Sequence, residues 1–470
     1  METFPICESG LAVTMPKANI NEQLNLRRTD FPANFRWGSS TSSYQIEGAT
    51  QEGGRGESIW DRFTSMPGKI RDASSGAVAC DHYHRWPADL DLAQSLGTNA
   101  YRFSIAWPRI FPNGRAAKPN AQGLDFYSRL VEGMLERGLE PWATLYHWDL
   151  PQALQDQGGW AQRETVDAFL AYTDVMTRHL GDRVKNWITH NEPWCTAFIG
   201  NFEGHHAPGL KDFKVAMQVC HHLLVSHGLA IPVIRRNVPD ARVGAALSLH
   251  PLRAASDRAE DVAATQRHDG LRNRWFLDAL YGRGYPQDIW AVLGSNAPQV
   301  APNDMNVIAT PTDFLGVNYY FPENVADAPS QGVMQTRVVE LENIERTDFG
   351  WEVSPEGMVE LLARVARDYH PEHIFLTENG STYDDLVSPD GVVHDVKRRD
   401  YLQRHLKALH QILQLGIPVE GYFAWSLLDN FEWAEGYVRR FGLTHVDFQT
   451  QQRRLKASGL WYQAFLRGEF

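Results

Sequence analysis

Cysteine is scarce and scattered in this chain of 470 residues. The four cysteines, Cys7, Cys80, Cys195 and Cys220, show neither a CxxC spacing nor another metal-binding pattern. Separated thiols in a chain of this length are typical of a reducing compartment and exclude a disulfide framework. We therefore expect a cytoplasmic protein without a cysteine-based metal centre.

Basic runs and long apolar runs are also missing. Lys and Arg number 45 against 57 Asp and Glu, which gives a net charge of −12. This balance excludes nucleic acid and anionic membranes as expected partners and favours a neutral substrate. No uninterrupted apolar run approaches the length of a membrane span, and the N-terminus lacks the basic and apolar segments of a signal peptide. We expect residues 1–28 to form a loose leader before a single domain of residues 29–470.

What the chain does have is a regular alternation of apolar runs and amphipathic helical stretches. The runs cover residues 35–38, 100–107, 141–148, 184–192, 243–249, 314–320, 373–378 and 421–426, and the clearest helical stretches cover 124–137, 355–369 and 401–415. Eight such alternations predict an α/β fold, a (β/α)8 TIM barrel with its helices outside. A doubly wound open sheet is the alternative, but no GxGxxG follows the first run.

Two long insertions follow predicted strands, at residues 48–79 and 321–348. The loops after the strands build the active-site face of a barrel. We therefore expect irregular loops here that form cleft walls rather than extra domains.

Two short motifs each place a carboxylate at the end of an apolar run: THNEP at residues 189–193 and TENG at residues 377–380. A carboxylate at the tip of a buried strand is costly to desolvate unless it has a task or a partner. A single such Glu would more often be a surface residue. Two of them at one edge of a barrel would meet in space, and facing carboxylates are the residues that cleave glycosidic bonds.

Polar and aromatic residues follow every predicted strand except the fifth. Clustering at the face of a barrel where sites form favours a binding role over a structural one. These candidates are Gln45, His147, Asn191, Asn318, Tyr320, Trp425, Glu432 and Trp433.

The motifs THNEP, TENG, GVNYY (316–320) and WSLLDNFEW (425–433) resemble those of the family 1 glycoside hydrolases, the β-glucosidases and their relatives. The resemblance runs from FPANFRWG (31–38) to RLKAS (454–458), where Ala457 is a small departure that affects no candidate site residue. It implies a retaining enzyme that removes terminal β-D-glucosyl residues, or β-galactosyl or β-fucosyl residues, from β-glucosides or cello-oligosaccharides. It implies no metal or organic cofactor, and it makes a homo-oligomer an expectation.

The resemblance also assigns roles to residues. Glu192 matches the general acid/base and Glu378 the nucleophile. Tyr320 matches the residue that orients the nucleophile, and Trp425 the residue beneath the sugar ring. The remaining glycone positions are Gln45, His147, Asn191, Asn318, Glu432 and Trp433, and the aglycone positions are Trp194 and Trp351.

Three alternatives are weighed against this interpretation. A 6-phospho-β-glucosidase carries Ser where this chain has Glu432, whose charge would repel a phosphate, although Arg439 and Arg440 lie nearby. A thioglycosidase-like enzyme has Gln in place of the acid/base, whereas Glu192 is intact. A catalytically silent sugar-binding barrel would be favoured by loss of either carboxylate, and both are present.

The histidine pairs at residues 205–206 and 221–222 are not expected to bind a metal. The first pair is predicted to lie in a loop. The second is predicted to lie in a helix, where adjacent side chains point in different directions.

Overall fold

Eight parallel strands close into a barrel in the computed structural model, which describes residues 26–115 and 118–469. The strands are β1 (Arg36–Ser40), β2 (Ala100–Ser104), β3 (Glu140–Tyr146), β4 (Asn186–Asn191), β5 (Arg242–Ser248), β6 (Phe314–Asn318), β7 (Ile374–Asn379) and β8 (Val419–Trp425). Each strand pairs with its neighbours in chain order, and β1 closes the ring against β8. The predicted TIM barrel is confirmed. The expected leader lies almost entirely outside the described residues, and the single domain stays a prediction.

Helices connect successive strands and surround the barrel. The main ones are His82–Ser95, Ala121–Glu136, Arg163–Leu180, Phe213–Asn237, Ala259–Asp269, Trp275–Leu280, Pro355–Tyr369, Val396–Gln414 and Ala457–Arg467. Shorter helices are Ser43–Ile46, Ile59–Thr64, Trp107–Ile110, Gln152–Gln155, Gln287–Leu293 and Asp304–Ile308. Two segments are π-helical, Cys195–Glu203 and Gly270–Arg274.

Local signals in the sequence set several helix ends. The Ser354 hydroxyl accepts a hydrogen bond from the backbone N–H of Gly357, and Pro355 occupies the first turn of the helix that follows. Gly138 and Gly416 lie just beyond the ends of two other helices with φ of 69° and 75°, values at which glycine is not strained.

Both long insertions carry regular structure, so the expectation of irregular loops is partly wrong. The first contains the helix Ile59–Thr64. The second contains the antiparallel strands Glu323–Asp327 and Thr336–Val339, and the strand Leu252–Ala254 from an earlier loop pairs in parallel with Glu323–Asp327. Residues 252 and 323 pair although they are far apart in the chain, so no local pattern in the sequence predicts this pairing.

The barrel interior is filled by side chains from seven of its eight strands, β2 to β8, rather than left as a pore. These residues form a separate hydrophobic cluster: Ala100, Trp142, Ile188, Ala246, Phe314, Phe375 and Phe423. Trp142 is central, since its ring lies 4.5–5.3 Å from the rings of Phe314, Phe375 and Phe423. This close-packed aromatic cluster supports the polar residues at the ends of the strands.

One helix, Phe213–Asn237, is long and apolar enough to cross a membrane by length and composition alone. The sequence reading overlooked it because the apolar stretch is interrupted by His221, His222 and His227. Within the structure, 78% of its most apolar window is buried. The helix packs on Arg163–Leu180, as a core helix of the barrel does.

Candidate active site

The carboxyl ends of the strands surround a cavity of about 430 Å³. Most of the candidate residues line it: His147, Asn191, Glu192, Trp194, Tyr320, Trp351, Glu378, Trp425, Glu432 and Trp433. Gln45 and Asn318 do not line the cavity but bind side chains that do. The structure therefore brings all the predicted site residues together.

Glu378 lies in β7 and is only 3% exposed. Its Oε1 accepts a hydrogen bond from Nη1 of Arg102 at 2.6 Å, and its Oε2 accepts one from the Tyr320 hydroxyl at 2.6 Å. Burial raises the pKa of the Glu378 carboxyl, the Arg102 guanidinium opposes that rise, and the Glu192 carboxylate adds to it. The arginine and the tyrosine both favour a negative charge on Glu378.

Glu192 follows β4 directly and is 6% exposed. Its φ of 45° is unusual for a residue other than glycine, and its backbone N–H donates to the carbonyl of Ala246 in β5. Its Oε1 accepts a hydrogen bond from Nδ2 of Asn318 at 2.7 Å, and its Oε2 accepts one from Sγ of Cys195 at 3.0 Å. Both partners are neutral, in contrast to the arginine on Glu378.

Two asparagines connect the carboxylates. Asn191 Oδ1 accepts hydrogen bonds from Arg102 Nη2 at 2.6 Å and from Asn318 Nδ2 at 3.0 Å. The Asn191 Nδ2 group then faces His147 Nε2 at 3.0 Å. Burial and the Arg102 charge hold the pKa of His147 well below its usual value, so its ring is neutral and Nε2 accepts the bond. Each amide thus has one orientation, which fixes the donors and acceptors around both carboxylates.

A second set of hydrogen bonds holds Glu432 in the segment after β8. Gln45 Nε2 donates to Glu432 Oε2 at 3.2 Å and to Asn430 Oδ1 at 3.0 Å. Burial and the nearby Glu378 carboxylate raise the pKa of Glu432 well above its usual value. The Glu432 carboxylate forms no ion pair with any residue that the structure describes.

Tryptophan rings cover much of the same end of the cavity. The Trp433 ring lies 4.6 Å from Trp148 and 5.9 Å from His147. The Trp425 ring also stacks on His147, at 5.9 Å. Flat rings beside fixed amides and carboxylates suit a ligand with both C–H faces and hydroxyl groups.

The remaining candidates, Trp194 and Trp351, are half-buried in the cavity wall. Trp351 stacks on Phe349 at 4.3 Å and on Phe321 at 4.9 Å. Trp194 lies under the guanidinium of Arg272, whose carbon is 3.8 Å from the ring centroid.

The histidine pairs do not form a metal site in the described part of the chain, where no group of three His, Cys, Asp or Glu side chains could hold an ion. His206 packs between the rings of Trp60 and Trp148, while His205 is exposed at the cavity mouth. His221 lies within hydrogen-bonding distance of Tyr285 and Asp304.

Comparison with known proteins agrees with this geometry. The sequence model of "Glycosyl hydrolase family 1" matches residues 27–469. The chain belongs to glycosyl hydrolase family 1. β-Glucosidase A of Acetivibrio thermocellus is 44% identical to this family 1 chain over 94% of the chain and 99% of that protein. The solved structure of the family 1 β-glucosidase from Thermotoga maritima superimposes with a TM-score of 0.91 at 44% identity, covering 93% and 98% of the two chains. The same Thermotoga maritima enzyme has been solved in complex with deoxynojirimycin (TM-score 0.91).

Several residues that line or support the cavity of this family 1 enzyme were not among the candidates from the sequence. Arg102 is the clearest omission, because a fully buried arginine in the apolar run 100–107 is a strong signal of a partner charge. Cys195, which donates to Glu192, was considered only as one of the four scattered cysteines. The fifth strand was wrongly left without a contribution, since Ser248 at its end and His250 just beyond it both line the cavity of this family 1 enzyme.

Proposed function

We propose that this family 1 enzyme is a retaining β-glucosidase that removes terminal, non-reducing β-D-glucosyl residues from β-glucosides or cello-oligosaccharides. The observation that carries the proposal is the unlike surroundings of two buried carboxylates in one cavity. Glu378 is held by a cation and a hydroxyl, whereas Glu192 is held by an amide and a thiol. The relatives support the substrate, since they are β-glucosidases and, in Thermotoga neapolitana, a 1,4-β-D-glucan glucohydrolase.

In the first step Glu378 acts as the nucleophile. The negative charge that Arg102 stabilises there is placed to attack the anomeric carbon, so that a C–O bond to the enzyme forms as the glycosidic bond breaks. Glu192 supplies its proton to the departing oxygen, and the aglycone leaves as a neutral alcohol. The mechanism requires the proton on Glu192 and the charge on Glu378 before this step, and the described residues include a cation paired with Glu378 but none paired with Glu192.

In the second step water replaces the aglycone. Glu192, now ionised, takes a proton from the water, and the resulting hydroxyl attacks the anomeric carbon and releases Glu378. The Tyr320 hydroxyl and Arg102 then stabilise the returning negative charge on Glu378. Two inversions at one carbon give a product with the original β configuration.

The glycone is held at the end of the cavity lined by Glu432 and Trp433, where Gln45 donates a hydrogen bond to Glu432. A carboxylate oxygen and a carboxamide side by side suit two neighbouring hydroxyl groups. Trp425 offers a face to the ring, and the amides of Asn191 and Asn318 are held beside the catalytic pair by hydrogen bonds to Arg102 and Glu192. Gluco, galacto and fuco sugars all present some of these groups, so glucose is the proposed preference rather than the sole sugar accepted.

A 6-phosphorylated glycone is disfavoured by the same residues. Arg440 is paired with Asp429 at 2.7 Å, and Arg439 is paired with Glu435 at 3.2 Å. Neither arginine is therefore available to balance a phosphate, and the Glu432 carboxylate would repel it. A cytoplasmic location and a homo-oligomeric state stay predictions from the sequence.

Azide rescue tests the assigned roles. Glu378→Ala should abolish hydrolysis of an aryl β-D-glucoside, and added azide should restore bond cleavage with formation of α-D-glucosyl azide, because azide occupies the place of the lost nucleophile. Glu192→Ala is the matched variant and should give β-D-glucosyl azide instead. Full activity of Glu378→Ala, or the same azide anomer from both variants, would refute the proposed roles.

A further inference from the structure

A buried arginine forms part of the cavity wall beyond the catalytic pair. Arg272 is 5% exposed and lines the cavity together with Trp194, Ser248 and His250. We call these four residues the arginine wall. Of the four, the resemblance to family 1 assigned a role only to Trp194. The four residues come from three separate segments of the chain: the turn after Glu192, the end of β5, and the π-helical segment Gly270–Arg274. π-Helical segments are often found at functional sites.

Arg272 is held in place without using all its donors. Its Nη1 donates to the carbonyl of Ser248 at 3.5 Å, and its Nη2 donates to the Ser248 hydroxyl at 3.3 Å and to Nε2 of His250. Burial and the Arg272 charge lower the pKa of His250 to about 3, so that ring is neutral and accepts. The Nε–H of Arg272 is buried with no hydrogen-bond partner among the described residues.

A carboxylate lies near the Arg272 guanidinium but beyond hydrogen-bonding distance. The nearest carboxylate, Glu323, lies 3.6 Å from Arg272 Nε and is closer to His268, at 2.9 Å. A guanidinium has five N–H donors in a planar fork, and sugar hydroxyls are good acceptors for those left over. The buried Nε–H lies towards Glu323, so Nη1, whose one hydrogen bond is long at 3.5 Å, is the donor left for an acceptor on a bound ligand.

Stacking links Arg272 to the leaving-group side of the site. The guanidinium covers one face of the Trp194 ring at 3.8 Å. Trp194 follows Glu192, the proposed proton donor, by two residues, so a group bonded to the glycosidic oxygen lies next to this pair. Arg272 therefore fixes the tryptophan and adds positive charge to a cavity otherwise rich in glutamates.

We propose that Arg272 is a specificity-determining residue for the aglycone, and that the arginine wall selects a hydroxyl-bearing aglycone such as the second glucosyl unit of cellobiose over a purely aromatic one. This proposal rests on the proposed β-glucosidase activity. The aglycone is absent from the glucosyl-enzyme, so Arg272 acts on the first step and leaves the second unchanged.

The test compares Arg272→Met with the unmodified enzyme on three substrates. We expect kcat/KM for cellobiose to fall about tenfold or more relative to that for p-nitrophenyl β-D-glucoside, the loss typical of a hydrogen bond from a charged group. We expect kcat for 2,4-dinitrophenyl β-D-glucoside to stay unchanged, because its leaving group departs readily and hydrolysis of the glucosyl-enzyme then limits turnover. Arg274→Met is the control, since Arg274 lies in the same segment but pairs with Asp269 and Asp288 and lines no part of the cavity.

The outcomes separate the two proposals. An unchanged ratio of cellobiose to p-nitrophenyl glucoside in Arg272→Met would overturn the role of Arg272. A parallel loss on all three substrates, including the dinitrophenyl kcat, would show a merely structural residue and would also overturn it. If the unmodified enzyme cleaves none of the three β-glucosides, the proposed function itself is wrong.

Discussion

The two ends of the cavity are held by different kinds of contact. At the glycone end Gln45, Asn191 and Glu432 are buried, and each makes side-chain hydrogen bonds of 2.6–3.2 Å. At the aglycone end Trp194 and Trp351 are half-buried and are held mainly by ring faces, on Arg272 in one case and on Phe349 and Phe321 in the other.

This difference corresponds to a difference in selectivity. A hydrogen bond depends steeply on distance and angle, so a fixed amide or carboxylate distinguishes one hydroxyl position from another. Contacts with ring faces depend mostly on the area covered, so they accept many shapes. We expect this family 1 enzyme to discriminate more strongly among glycones than among aglycones, with Arg272 as a directional contact at the aglycone end.

The largest effect should come from the glycone end. Glu432→Gln replaces one carboxyl oxygen with an amide NH2 group, and we expect kcat/KM to fall about 100-fold for every β-glucoside, as when a buried hydrogen bond is lost and a sugar hydroxyl is left without its acceptor. The fall should be the same for cellobiose and for p-nitrophenyl β-D-glucoside, because the glycone is common to both. Steady-state kinetics on the two substrates measures it.

Glu420→Gln serves as the control for that variant. Glu420 lies near the start of β8, pairs with Arg242 and His373, and does not line the cavity. We expect it to retain normal kcat/KM. A loss in Glu432→Gln that differs between the two aglycones by more than about threefold would break the proposed division between the two ends.

A smaller and unequal effect should come from the aglycone end. Trp351→Ala removes a ring from the stack with Phe349 and Phe321, and we expect kcat/KM for p-nitrophenyl β-D-glucoside to fall about two- to tenfold, the range of one aromatic contact. The kcat for 2,4-dinitrophenyl β-D-glucoside should not change. Trp290→Ala, which removes a tryptophan packed on Trp275 and Tyr285 outside the cavity, should leave both values as they were. A drop in the dinitrophenyl kcat of Trp351→Ala would place Trp351 with the catalytic residues instead.

Much of the glycone end could be predicted from the sequence because its residues lie at or just after strands. Glu192, Glu378 and Asn318 are each marked by an apolar run that ends in a polar group, a purely local pattern. The strand boundaries in the structure differ by a few residues from those predicted from the sequence. The order of the strands, and the end of the barrel at which each strand finishes, do not depend on those differences.

The aglycone end could not be predicted in the same way. Arg272 lies 24 residues after the end of β5 (272 − 248) in an irregular helical segment, and only tertiary packing brings it to Trp194. The same holds for the small sheet in the second insertion, whose third strand comes from the loop after β5. Arg102 is an intermediate case, since its charge inside an apolar run was visible but its partners, Glu378 and Asn191 among them, were not.

Trapping of the covalent intermediate tests the central claim most directly. The enzyme would be inactivated with 2,4-dinitrophenyl 2-deoxy-2-fluoro-β-D-glucoside, digested, and the labelled peptide identified by mass spectrometry. The fluorine slows release of the glycosyl-enzyme, so we predict one 2-fluoroglucosyl group per chain, bonded to Glu378. A label on Glu192 or on any other residue, or turnover of β-glucosides without a covalent adduct, would contradict the assignment of Glu378 as the nucleophile.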